Sequence, residues 1–318
     1  ILQLMFNAVD IVVVGKFSGS EALAAVGSTS ALINVFTNLF IGVSLGTNVL
    51  AARFYASGRE KEMSETVHTS LTFAIISGIV MSFVGLFCSR GALELMTTPE
   101  DVIGQAALYM KIYFLGMPFF MLYNYGAAVL RAVGDTKRPL YFLVVSGILN
   151  AGLNMFLVIV FHMGVEGVAI ATVISQMVSC ILVLHCLYHC EGSYQLRFSK
   201  LTIKKQYLKP IFQVGIPAGI QSTVINFSNV LLQSSVNSFG SIAMAGYTAA
   251  NNIFGFLFVA VNSVTQACMS FTSQNFGAGK WKRMDKVLVN CIFLSVTVAT
   301  LLGGGAYVFG PQLLKIYT

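Results

Sequence analysis

Long apolar stretches separated by short polar breaks run along the whole chain. A bilayer core needs about 20 apolar residues per crossing helix. That ruler divides the 318 residues into nine predicted helical spans, at 1–17, 30–52, 66–88, 107–132, 139–161, 167–189, 211–238, 245–272 and 287–309. The pattern predicts an all-α, polytopic membrane protein. Composition supports it: the chain is 56% hydrophobic and only 10% charged, where soluble domains run near a quarter charged. At a mean hydropathy of +0.78, too few polar side chains remain to cover a water-soluble globule.

Charge orients the spans. All but four of the 19 Lys and Arg fall at or after the ends of the second, fourth, sixth and eighth spans, the exceptions being Lys16, Arg90, Lys111 and Lys315. By the positive-inside rule those loops and the N-terminus face the cytoplasm of a multi-pass protein of the cell membrane. The net charge of +7 is therefore topological. Basic residues spread over four loops without interleaved aromatics exclude a nucleic-acid partner.

A chemical exception stands inside the first span, where Phe6 to Gly15 holds one carboxylate, Asp10, in an apolar run. An acid at membrane depth marks an ion, proton or substrate path. The alternative, a helix-end acid that reaches the headgroups, stays open because only nine residues precede it. The chain begins at Ile1 with an apolar stretch and no basic leader, so a longer natural N-terminus is expected.

Compared with itself at an offset of 221 residues, the chain shows an internal repeat. Gly19-Ser20-Glu21-Ala22-Leu23-Ala24 meets Gly240-Ser241-Ile242-Ala243-Met244-Ala245, Gly58 meets Gly279, and Arg59 and Lys61 meet Lys280 and Lys282. Six spans separate the copies, so both enter the bilayer the same way, as a parallel repeat about an axis along the membrane normal. The expected organisation is an N-lobe at 1–190 (spans one to six), a polar inter-lobe linker at 191–209, and part of a C-lobe at 210–318 (spans seven to nine). The counterpart of Gly104 to His189 would run roughly 90 residues beyond Thr318, room for about three more spans at 20 apolar residues each. The chain thus reads as two six-helix lobes, the second incomplete.

Several polar groups sit at membrane depth. Asn150 and Asn154 are four apart and share one face of the fifth span. They make either an interhelical hydrogen bond or part of a site. The seventh span carries Ser222, Asn226, Asn229, Gln233 and Asn237, spaced as one helical stripe. Such a stripe faces a neighbouring helix or a central cavity, not lipid. Asn226, Asn229, Gln233 and Asn237 are taken as the candidate substrate cavity. The eighth span adds Asn251, Asn252, Asn262 and Gln266. At the repeat offset Asp10 falls on Leu231, so the second lobe has no matching acid. Pro118 and Pro217 are either hinges or first-turn prolines. The six cysteines lack paired spacing and read as reduced packing residues. His185 and His189, interleaved with Cys186 and Cys190, are favoured as a helix-end cluster over a metal site.

Five stretches resemble one family. They are Phe6 to Gly15 with its Val9-Asp10, Gly19 to Gly27, the loop Arg131 to Pro139, Leu149-Asn150 with Asn154, and Gly164 to Thr172. In this order they resemble the multidrug and toxic compound extrusion (MATE) transporters, most closely the bacterial DinF-like branch. The resemblance implies that Asp10, Asn150, Asn154 and Thr172 meet in an N-lobe cavity that handles the coupling cation. Asn154 stands where some members have Asp, which leaves Asp10 as the principal titrating group. It further implies a monomeric secondary-active antiporter that exports organic, often cationic, small molecules in exchange for H⁺ or Na⁺, with no cofactor, no metal and no enzymatic activity. The alternative is a lipid-linked saccharide flippase built on the same two lobes, which would call for intramembrane Arg or Lys. An intramembrane enzyme would need an acid/base pair at depth, and Asp10 has no such companion.

Overall fold

The computed structural model describes residues 13, 19–95, 100–237 and 241–314, and among these every regular element is helical. We number the helices α1 (Gly19–Ala56), α2 (Glu60–Leu95), α3 (Glu100–Leu115), α4 (Met117–Ala132), α5 (Lys137–Met155), α6 (Val165–His189), α7 (Lys205–Asn237), α8 (Ser241–Gly277), α9 (Trp281–Val308) and α10 (Gly310–Leu314). The first predicted span, with Asp10, lies outside the described residues.

Among the described residues six helices are long and apolar enough to cross a membrane, seven if α3 and α4 count as one span bent by 46°. The bend is local chemistry. Pro118 lacks the N–H that would bond the Phe114 carbonyl in a straight helix, and the Ser82 hydroxyl of α2 donates to that carbonyl instead, at 2.8 Å. Gly78 of α2 packs directly against the Pro118 backbone, where a side chain would collide. α7 is not among the six, because its polar stripe lowers its hydropathy. It begins at Lys205 and runs as helix through Pro210 and Pro217. Neither proline starts it.

α1 is the hub, in contact with α2, α3, α4, α7 and α8. Its inner side supplies Thr47, Ala51 and Ala52 to the core, beside Met63 and Val67 of α2 and Tyr125 of α4, all essentially inaccessible to water. The turns after α1 and α8 have one form. Gly58 and Gly279 take φ of +69° and +68°, the left-handed region that only glycine enters freely. Each backbone N–H closes on the third residue before it, Tyr55 at 3.2 Å and Phe276 at 3.1 Å.

The linker is docked along α2. Leu196 is buried and donates its N–H to the Leu187 carbonyl at 2.8 Å. The Arg197 N–H donates to His68 Nε2 at 3.0 Å, and Lys204 pairs with Glu65 at 2.6 Å.

Candidate functional site

Two features carry polar side chains along apolar helices: an amide cluster between α5 and α6, and one face of α7. Asn150 and Asn154 project from the same side of α5 and are 5% and 0% exposed. Asn154 Nδ2 donates to Asn150 Oδ1 at 3.3 Å, and Asn150 Nδ2 donates to Thr172 Oγ1 at 3.4 Å. The Thr172 hydroxyl in turn donates a hydrogen bond to the Val168 carbonyl at 2.9 Å. Buried amides require partners, and Asn150 finds one across the helix pair in Thr172. Three of the four residues expected in the N-lobe site are therefore together; the fourth, Asp10, lies outside the described residues.

A further group belongs with them. Gln176 lies one turn beyond Thr172 on α6, and its Oε1 is buried without a hydrogen-bond partner. It occupies the notch that the α3–α4 break leaves at Gly116, where a Cβ would stand 2.9 Å from that oxygen. Its i,i+4 spacing from Thr172 was the available sequence signal, but nothing in the pattern pointed to the notch. The cluster consists of neutral amide and hydroxyl groups and carries no charge of its own. Among the described residues no group of three His, Cys, Asp or Glu is arranged to hold a metal. His185 and His189 stack on each other 4.2 Å apart at the end of α6.

The face of α7 changes character along its length. Ile211, Gly215, Gly219, Ser222, Asn226, Asn229, Gln233 and Asn237 follow one another at helical spacing and form a single stripe. At the end near the basic loops this stripe presses on α1. Gly42 of α1 meets the Gly219 backbone, Gly46 meets the Ile211 carbonyl, and Gly215 meets Val43, each too closely for a Cβ. Two Gly-x3-Gly pairs thus bring the helix backbones into contact, a packing that association in lipid favours. Further along, the same stripe is polar and open: Asn226 is half-buried and Asn229 exposed, as are Asn34 and Val35 toward the other end of α1. Asn226 Nδ2 donates only within its own helix, to the Ser222 carbonyl at 2.9 Å. The side chains of Gln233 and Asn237 lie outside the described residues.

The MatE family model matches residues 1–156 and 217–318, most of the chain. The chain belongs to the MatE family. MatE proteins are transporters, so this chain is a membrane transporter and not an enzyme, and its long apolar helices fit a multi-pass architecture. It is 31% identical over 326 residues to the probable multidrug resistance protein YoeA of Bacillus subtilis, covering 100% of this chain and 70% of that protein. To the probable multidrug resistance protein NorM of Thermotoga maritima it is 26% identical over 332 residues, covering 100% and 69%. Its fold matches that of a multidrug resistance MATE transporter solved in an outward-facing conformation, with a TM-score of 0.90 at 22% identity over 100% of this chain and 70% of the other.

Within this MatE fold α8 also meets α4 and the end of α1. Gln274 Nε2 donates to the Ala132 carbonyl at the end of α4 at 2.7 Å. Gly277 lies against the Arg53 backbone, and the Arg53 guanidinium stands over the Phe276 ring at 4.8 Å. Sequence reasoning missed both the glycine pairs and these contacts.

Proposed function

We propose that this protein is a secondary-active antiporter of the cell membrane that exports organic, often cationic, compounds in exchange for H⁺ or Na⁺. The observation that carries the reading is the single face of α7, which is sealed against α1 beside the basic loops and open and polar beyond. With those loops on the cytoplasmic side, the lobes are closed toward the cytoplasm and a polar cleft opens outward. The multidrug names of YoeA and NorM support the substrate class.

The two lobes act as parallel repeats. Support comes from the matched glycine turns and from paired contacts at the offset of 221: Thr47 donates to Ser70 at 3.2 Å between α1 and α2, while Cys268 and Cys291 meet between α8 and α9. Rocking of one lobe on the other alternates access. Each ligand shifts that equilibrium only by its differential affinity for the two states. Cation binding at Asp10, completed by Asn150, Asn154 and Thr172, favours one state, and an organic substrate against Asn226, Asn229, Gln233 and Asn237 favours the other.

The test is ethidium efflux from cells carrying the transporter, wild type against Asp10→Asn, with the H⁺ and Na⁺ gradients collapsed separately. Collapse of one of the two gradients should abolish wild-type efflux, and Asp10→Asn should abolish it with both intact. Unchanged efflux by Asp10→Asn would overturn the coupling role.

A further inference from the structure

The end of α4 carries an unusual partner. The last carbonyls of a helix lack intrahelical donors, and the turn after α4 serves three of them from its own chain. Val133 N–H donates to Val129 at 3.3 Å, Asp135 N–H to Leu130 at 3.0 Å and Gly134 N–H to Arg131 at 3.0 Å. Ala132, fully buried, receives its donor from the other lobe: Gln274 of α8, at 2.7 Å. One turn earlier on α8, Ser270 reaches the Arg131 carbonyl at 3.4 Å. A neutral side-chain donor thus caps the negative end of a helix dipole across the lobe contact.

We propose that Gln274 is a positioning residue for transport, the latch that holds the lobes closed at the basic-loop end. It rests on the exporter reading above. When the lobes part at this end, water replaces both partners at little loss. When they are closed, removal of the donor leaves the Ala132 carbonyl buried and unsatisfied. Gln274 therefore weights the closed state without touching substrate. The repeat points the same way, because Gln274 falls on Arg53 at the offset of 221, and both positions carry side-chain donors at the lobe contact.

The experiment uses a transporter whose six cysteines are replaced by alanine and that carries Ser270→Cys as a near-isosteric reporter within the contact. The rate of labelling by a membrane-impermeant maleimide is read in inside-out vesicles at pH 8. Loss of one neutral hydrogen bond predicts a roughly fivefold faster rate in Gln274→Ala and in the isosteric but acceptor-only Gln274→Glu. Gln274→Arg keeps a donor and should stay near the parent rate. A Gln274→Glu rate equal to the parent, or a Gln274→Arg rate as fast as that of Gln274→Ala, would overturn the latch. Ethidium efflux from the same cells separates the two claims: a parent that labels but does not export counts against the exporter reading, and the labelling ratios still decide the role of Gln274.

Discussion

The two halves of α7 share one helical face and do opposite things. From Ile211 to Gly219 the face has almost no side chains, and the backbones of α1 and α7 touch. From Ser222 onward it carries hydroxyl and amide groups, with Asn229 exposed. Contact in lipid is gained by close packing, so glycine makes a seal where alanine or leucine would hold the helices apart. In the exporter proposed above, the polar groups serve where the face meets water and substrate, and one helix supplies both surfaces in series.

The largest effect is expected from breaking the sealed half. A Cβ at Gly219 would lie 2.7 Å from the Leu39 carbonyl oxygen, so Gly219→Leu overpacks a backbone contact. At about 2 kcal/mol for such overpacking, the closed state loses roughly thirtyfold in population. Efflux should fall to background, while thermal unfolding of the purified protein in detergent shifts by only a few degrees. A variant with full efflux would show that the glycine contact does not seal the cleft.

A smaller effect is expected in the open half. Asn226 donates to Ser222 of its own helix, so Asn226→Ala breaks no hydrogen bond to another helix. Loss of one amide contact to substrate, about 0.6 kcal/mol on the scale of polar contacts in membranes, raises the KM for efflux roughly threefold. A large fall in thermal stability with unchanged KM would place Asn226 in packing instead.

Much of this contrast was legible in the sequence, but unevenly. The spacing of Ser222, Asn226 and Asn229 states the polar stripe outright, and α7 presents it as a continuous face. The glycines on that same stripe were silent, because a hydropathy pattern treats Gly215 and Gly219 as mild interruptions of an apolar run. Only the partner helix, with Gly42 and Gly46 opposite, gives them meaning. Pro118 announced the break in the fourth span, yet the same residue type at Pro217 sits in unbroken helix. The difference is environment: at the α3–α4 break Ser82 takes up the carbonyl that Pro118 frees and Gly78 makes room for the ring, and nothing local encodes either. Asn150 and Asn154 could be paired from their spacing on one helix, whereas Gln176 needed the Gly116 notch on another. Gln274 is the extreme case, a single amide whose partner lies at the end of α4, far away in sequence.

The central claim is that the lobes are sealed on the basic-loop side and open on the other. It is tested most directly by the side from which the open half of α7 is reached. With the six native cysteines replaced by alanine and Asn229→Cys introduced, a membrane-impermeant maleimide is applied to right-side-out and to inside-out vesicles. The account predicts rapid labelling in right-side-out vesicles, slowed by ethidium, and labelling at least several-fold slower in inside-out vesicles. Faster labelling in inside-out vesicles would contradict it.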